Sequence, residues 1–466
     1  MIKNRPLIFF AVFYPLLLIS YLVFGTNLFF PFEYDTLMKL RGPRPNHSDI
    51  VLITIDDPSV ELLGSPWPWD RKKIAEALSI LASEKPRLMA LDLLFSEKKD
   101  PSSDAVLETT LTKLSSSFPI LLAGSLEGDF QSVFSGLKQI PTLSYQLQKP
   151  LFPLPYGLVN APLSPDGKIR SAQLFFPLPQ ETLSHFSLCA AYLSQNSNLR
   201  HCPARESLNF FSLPDSSYLI NFLGPINPFP TLSMFQVLRQ EIPPGLLRNK
   251  ILFVGTRLPS IQDFHTTPYF DNSPQAPRAS GLEILATLSE NVLGGYFYKR
   301  SSMALNILIF LLLFTGLALL HSKNRYSALY RKSLSYFLIL LPLLLSWVFF
   351  TFFHLYFPGF SLFFFLGLLF ISCRFINPYK TPSALHPTPP AWPSDVKFLI
   401  EGELTVREKE ILPWLLEDLK ISTLSKQLQI SESTLKKHIN NIYQKFSVKK
   451  RSELIHRIGT QKTSAS

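Results

Sequence analysis

The chain has 466 residues, of which 17% are charged and 40 are phenylalanine, and its formal net charge is +11. That length leaves room for two or three domains, and so little charge among so many apolar residues argues against a chain lying wholly in water. Three cysteines, none in a ligand-like spacing, exclude a cysteine metal cage.

In chain order, the first element is an uncharged apolar run, Leu7–Phe24. It is close to the ~20 residues that cross a hydrocarbon core. A cleaved signal peptide is the rival reading, but the run is longer than a usual signal core and no A-x-A-like site follows, so an anchor is expected. Short β-rich apolar runs come next: "IVLITIDD" (50–57), "RLMALDLLF" (87–95), "PILLAGSL" (119–126) and "KILFVGT" (250–256). Helical patterns stand between some of them, at "DRKKIAEALSILASEK" (70–85) and "SSDAVLETTLTKL" (102–114). Strands alternating with helices predict a parallel sheet covered on both faces. In such sheets ligands bind beyond the carboxyl ends of the strands. Asp56, Asp57 and Asp92 fall there. With Asp263 they are the candidates to meet a cation, or a ligand's amine or hydroxyls. The competing reading is that Asp57 and Asp92 cap helices or hold turns. "WPW" (67–69) and His265 are expected to be packing or turn elements. Cys189 and Cys202 are either a disulfide or two buried thiols.

Three further apolar runs follow, Met303–Leu320, Leu334–Phe353 and Phe360–Cys373, with "HLYFPG" (354–359) as a tight turn between the last two. Lys and Arg collect on cytoplasmic loops. Lys3 and Arg5, then Lys323, Arg325, Arg331 and Lys332, then Arg374 and Lys380 give four alternating crossings, both termini inside and a large outer domain. Residues 25–302 carry 24 basic and 25 acidic groups, whereas residues 395–466 carry 13 and 9, which agrees. Lys39, Arg41 and Arg44 on the outer side run against the rule, but large domains translocate regardless of such charges.

"NPYKTPSALHPTPPAWPSD" (377–395) holds six prolines and predicts an extended spacer. The tail then turns helical. "TVREKEILPWLLED" opens with Thr405 and Glu408 at capping-box spacing, and Pro413 either kinks this helix or delays its start. "TLSKQLQI" (423–430) is a second short helix. In "SESTLKKHINNIYQKF" (431–446), Ser431 is the N-cap, and Leu435, Ile439, Ile442 and Phe446 share one face. Lys436, Lys437, Asn440, Asn441 and Lys445 face away. A last helix covers "KKRSELIHRIG" (449–459).

Two resemblances sharpen these readings. "RGPRP" (41–45), "ITIDDPSVELLGSPWPWDR" (53–71), "ALDLLFSE" (90–97), "VNAPLSPDGKIRS" (159–171), "ILFVGTRLPSIQDFHTTPY" (251–269) and "GLEILATLSENVLGG" (281–295) occur in one order. Together they resemble the type-two CHASE domain, a bacterial extracytoplasmic sensory module, over essentially the whole outer segment. The three following spans are similar to that family's arrangement. Where the family often has His, this chain has Leu285. "LTVREKEIL…LSKQLQISESTLKKHINNIYQKFSVKKRSELI" resembles the LuxR-type helix-turn-helix domain over 404–458. Asp418 departs from a usual glycine there and Thr423 from a frequent Glu.

The resemblance implies that the helix beginning at Glu432 enters the DNA major groove. Lys436, Lys437 and Asn440 would face bases, with Asn441 on the same polar side. Ser433, Thr434, Lys445, Lys449 and Lys450 would hold phosphates. Ordinary solvation competes as the reading of Lys445, and His438 is expected to pack locally. The family dimerises through its last helix, so Leu454, Ile455 and Ile458 are either a homodimer seam or part of a small core.

The expected fold class is thus a multi-domain membrane protein: an anchor (1–25), an α/β extracytoplasmic sensory domain (26–300), three transmembrane helices (301–376), a proline-rich linker (377–400) and a small all-α helix-turn-helix domain (401–466). It is expected in a bacterial inner membrane as a one-component transcriptional regulator. The expected partners are promoter DNA, an outer ligand, the lipid bilayer and a second copy. The alternative is a non-enzymatic envelope scaffold whose tail binds a protein. No G-x-S-x-G, H-E-x-x-H, P-loop or kinase signature is present, so no catalytic residue, cofactor or metal is expected.

Overall fold

The computed structural model describes residues 19–21, 29–133, 138–178, 180–196, 198–204, 218–225, 228–270, 278–322, 328–376, 403–416, 421–428 and 430–460. The first apolar run (apart from 19–21), the proline-rich segment and Asp418 lie outside these residues. The chain divides into two units, Met1–Phe370 and Ile371–Ser466.

The first unit is built on a seven-stranded sheet. Its strands are β1 (Ile50–Ile55), β2 (Leu88–Leu94), β3 (Ile120–Val133), β4 (Lys138–Gln148), β5 (Tyr156–Leu158), β6 (Thr231–Ser233) and β7 (Ile251–Thr256), in the order β6-β1-β7-β2-β3-β4, with β5 also on β3. All pairings are parallel except β3–β4. The four expected strands and both expected helices are present. They are α3 (Arg71–Ser83) and α4 (Pro101–Ser115), after α1 (Phe30–Arg41) and α2 (Asp57–Leu62).

Alternation explains why β1 is apolar throughout. Val51, Ile53 and Ile55 point to one face, under α3, α4 and α6 (Met234–Leu238). Ile50 and Leu52 point to the other, under α5 (Phe186–Gln195) and α7 (Gly281–Gly294). A strand covered on both sides has no solvent face to keep polar. Cys189 of α5 is joined to Cys202 as a disulfide, which settles the alternatives in favour of the bridge.

Three apolar helices end this unit: α8 (Met303–Ser322), α9 (Ala328–Phe353) and α10 (Gly359–Ile376). Among the described residues one stretch is long and apolar enough to cross a membrane, the 22 residues Lys332–Phe353, which rise about 33 Å. Met303–Leu317 and Gly359–Ile371 are shorter apolar stretches. The expectation of four spans thus meets one full-length helix and two shorter ones, and the first run is not described. The α9–α10 connection is as short as expected, holding only a two-residue strand at Leu355–Tyr356.

The second unit has α11 (Val406–Leu416), α12 (Ile421–Gln427), α13 (Glu432–Lys445) and α14 (Arg451–Thr460). Ile411, Leu412, Leu415, Leu424, Leu435, Ile439, Ile442 and Leu454 form its core. Pro413 lies inside α11, which starts at Val406, so the proline does not delay the helix.

Candidate functional site

Two places in the molecule gather the candidate functional side chains. In the first unit a cavity of about 610 Å³ opens beyond the carboxyl end of β2. Trp67, Leu93, Ile169, Ile284, Leu285 and Leu288 give it an apolar lining. Asp92, Asp263 and His265 are among its polar lining. Asp92 comes from β2, paired in register with Gly255 of β7, and a side chain at 255 would crowd its carboxylate. Asp263 follows β7, and its backbone oxygen accepts from Gly281 N at the start of α7. A side chain at 281 would overlap the Asp263 carboxylate. His265 Nε2 is 2.9 Å from Asp263 Oδ1.

Protein surrounds Asp92 except toward the cavity, and burial followed by the Asp263 charge pushes its carboxyl up to about 7. Two of the four candidate acids therefore meet. The other two do not. Asp56 caps α2, accepting from Ser59 N (3.1 Å), Ser59 Oγ (2.7 Å), Ser233 Oγ (2.7 Å) and Thr54 Oγ1 (3.0 Å). Asp57 is exposed in the first turn of α2. The structure does not bring this pair to the cavity: four local donors occupy Asp56, and Asp57 faces out.

"WPW" splits between two roles. Trp69 packs in the core and donates to Ser65 O at 2.8 Å, whereas Trp67 lines the cavity. Sequence reasoning missed Trp67 and the α7 residues as site residues. The available signal was Asp92, a lone charge in the apolar run "LMALDLLF" (88–95).

The second place is α13. Ser431 Oγ accepts from Thr434 N at 3.1 Å and starts the helix. Leu435, Ile439 and Ile442 are buried, and Phe446 packs against the same core. Ser433, Thr434, Lys436, Lys437, Asn440 and Asn441 are exposed, so the expected base-facing set shares a free polar face. Ser431 Oγ also lies 2.8 Å from Ser433 Oγ and 2.7 Å from Thr434 Oγ1.

Lys445 is used differently. Its Nζ is 2.6 Å from Glu408 Oε2, linking α13 to α11. Glu408 also accepts from Thr405 N, and Thr405 Oγ1 accepts from Glu408 N, which is the expected capping box. Lys449 and Lys450 are exposed before α14, where Lys449 N donates to Glu453 Oε2. In α14, Leu454 is fully buried and Ile458 packs against the core, while Ile455 is 43% exposed. Of the three seam candidates, Leu454 and Ile458 thus complete the core, and Ile455 faces out.

A cavity on a two-faced α/β sheet and a helix-turn-helix with a free polar helix are consistent with a protein that joins a sensory domain to a DNA-binding one. The CHASE2 domain family matches residues 11–320, and the family of bacterial regulatory proteins, luxR family, matches residues 402–458. The chain belongs to the CHASE2 domain family and ends in a LuxR-family DNA-binding domain. Spore germination protein GerE of Bacillus subtilis (strain 168) is 40% identical over 59 residues, which are 13% of this chain and 80% of that protein. No solved structure matches. Neither matched domain is a catalytic one.

Proposed function

We propose that this chain is a membrane-tethered one-component transcriptional regulator. The outer domain (26–300) senses a ligand, four spans hold the chain in a bacterial inner membrane with both termini inside, and the tail (401–466) binds promoter DNA as a homodimer. The observation that carries the reading is the exposed Lys436, Lys437 and Asn440 face of α13, standing on a helix whose other face is buried. Lysine suits guanine acceptors and Asn bonds adenine. Ser433, Thr434, Lys449 and Lys450 suit phosphates.

The membrane reading draws on helices that leave large apolar side chains uncovered. Leu308 and Leu312 of α8, Phe337, Leu340 and Leu344 of α9 and Ile371 of α10 are each more than half exposed, which lipid tails would cover. Helix α1 is the element positioned to carry a signal. Arg170 grips Asp35 with two hydrogen bonds of 2.7 and 2.8 Å, and Lys168 adds one of 2.9 Å. Two residues earlier Glu33 accepts from Ser346 Oγ of α9, Tyr356 OH and Phe360 N of α10 at 3.1, 3.0 and 2.9 Å. Any displacement of the sensory domain acts on the apolar helices through these contacts.

The test is the double variant Lys436→Ala/Lys437→Ala in the full chain. Loss of two base contacts is expected to weaken specific, salt-sensitive promoter binding on the order of 100-fold, with helical content unchanged by circular dichroism. Specific binding that survives both changes refutes the base-reading role.

A further inference from the structure

We propose that the cavity beyond β2 is a site for an organic ammonium ion, a protonated or quaternary amine carried on an apolar body. The inference rests on the reading of the outer domain as a sensor and names its ligand class.

Three features of the cavity select this chemistry. Its volume, about 610 Å³, lies within the range of sites that enclose a small organic molecule. Trp67, Leu93, Ile284, Leu285 and Leu288 make most of its wall apolar, which suits hydrocarbon and does not suit a hydrated inorganic ion. The third feature is charge. Asp92 faces the cavity, and no hydrogen-bond donor reaches its carboxylate among the described residues.

Every other charged group in the cavity lining is engaged or exposed to solvent. Arg71 of α3 donates to Asp104 Oδ1 at 2.5 Å and to the Glu97 carbonyl. Glu97 and Lys99 are exposed. His265 is hydrogen-bonded to Asp263. The Asn160 amide is spent on the Leu126 backbone, at 2.8 Å in both directions. The lining therefore holds an acidic pair whose Asp92 is met by no lysine or arginine, Arg71 being spent on Asp104 and the Glu97 carbonyl.

Burial and the Asp263 charge already push the Asp92 carboxyl up to about 7, which is the cost of leaving a carboxylate without a counter-charge. The positive charge of either kind of ammonium group against Asp92 removes that cost, a protonated amine also donates the missing hydrogen bonds, and the hydrocarbon part fills the apolar wall. A divalent metal is the poorer fit. Among the described residues no three His, Cys, Asp or Glu side chains converge to hold one.

The experiment uses the full chain in lipid nanodiscs and isothermal titration calorimetry. The probes are phenethylammonium and benzyltrimethylammonium, the neutral phenethyl alcohol, the anionic 3-phenylpropionate, and magnesium chloride alone. Saturable binding of the ammonium ions is expected, with the alcohol and the carboxylate at least about tenfold weaker. Affinity for benzyltrimethylammonium, which cannot lose its charge, is expected to rise between pH 6 and 8 as Asp92 ionises. Asp92→Asn should cost at least about tenfold in affinity while the variant still unfolds cooperatively. Asp57→Asn, on the open surface, should change nothing. Equal binding of alcohol and ammonium, displacement of the ammonium by magnesium, binding of no ammonium probe, or full affinity in Asp92→Asn would each overturn the proposal. Ammonium binding that leaves promoter occupancy unchanged supports the site and counts instead against the regulator reading.

Discussion

Asp92 in the sensory domain and Glu408 in the tail are both carboxylates held among protein atoms, yet they sit in opposite surroundings. Glu408 is 2% exposed and is met by Thr405 N, by its capping-box hydroxyl and by Lys445 Nζ. Burial alone would raise its carboxyl, but the Lys445 and Thr405 hydrogen bonds prevail and hold it below the usual range. Asp92 has no such donors, so burial and the Asp263 charge carry it to about 7. A buried acid with all its partners inside the chain is architecture. One whose open side faces a cavity is the group we propose meets a ligand.

The largest test of this contrast is to remove the satisfied acid. Glu408→Ala deletes the capping box and the link to α13, and is expected to destabilise the tail by about 3 kcal/mol, read from its denaturant midpoint. Next comes the unsatisfied acid, with the opposite sign. The folded pKa of Asp92 is raised, so the chain is favoured at low pH and loses stability as pH rises from about 4 through about 7. Asp92→Asn removes that loss. The variant should be more stable than the parent by on the order of 2 kcal/mol at pH 8, and the gain should vanish toward pH 4 in paired thermal melts. A parent that is equally or more stable at pH 8 would erase the distinction between the two acids.

Smaller effects sharpen the comparison further. Ser431→Ala loses the α13 cap and should cost about 1 kcal/mol, with weaker promoter binding because the first turn frays. Asp57→Asn is exposed and lacks a role in the cavity, so its effect on stability should stay within about 0.5 kcal/mol, while Asp56, held by four donors, would cost more.

Legibility followed the distance over which each feature is encoded. Helix α13 could be read almost completely, because its cap, its buried stripe at Leu435, Ile439 and Ile442 and its free polar face are all set by one 3.6-residue period. The strands β1, β2 and β7 were visible for the same reason, as apolar runs ending in polar residues. The acids were less legible. Asp56 and Asp57 stand beside each other at a strand end and look like a site, but the turn into α2 consumes one as a cap and points the other to solvent. Lys445 looked like one more cation on the polar face, and only the packing of α13 against α11 shows its pairing with Glu408. Leu454 looked equally suited to a dimer seam and to a core, and the tail core claims it.

By itself, then, the sequence determined the alternating α/β character of the sensory domain, the apolar helices after it, and the capped, two-faced helix of the DNA-binding tail. Each of these is written in side-chain periodicity and capping chemistry between near neighbours. Only the tertiary structure decided which carboxylates meet, that Trp67 faces a cavity while Trp69 fills the core, and that Cys189 and Cys202 are joined. Those outcomes depend on residues from 67 to 288 being brought to one end of a sheet by parallel crossovers. No local pattern records such an approach, because it is fixed by how whole layers pack.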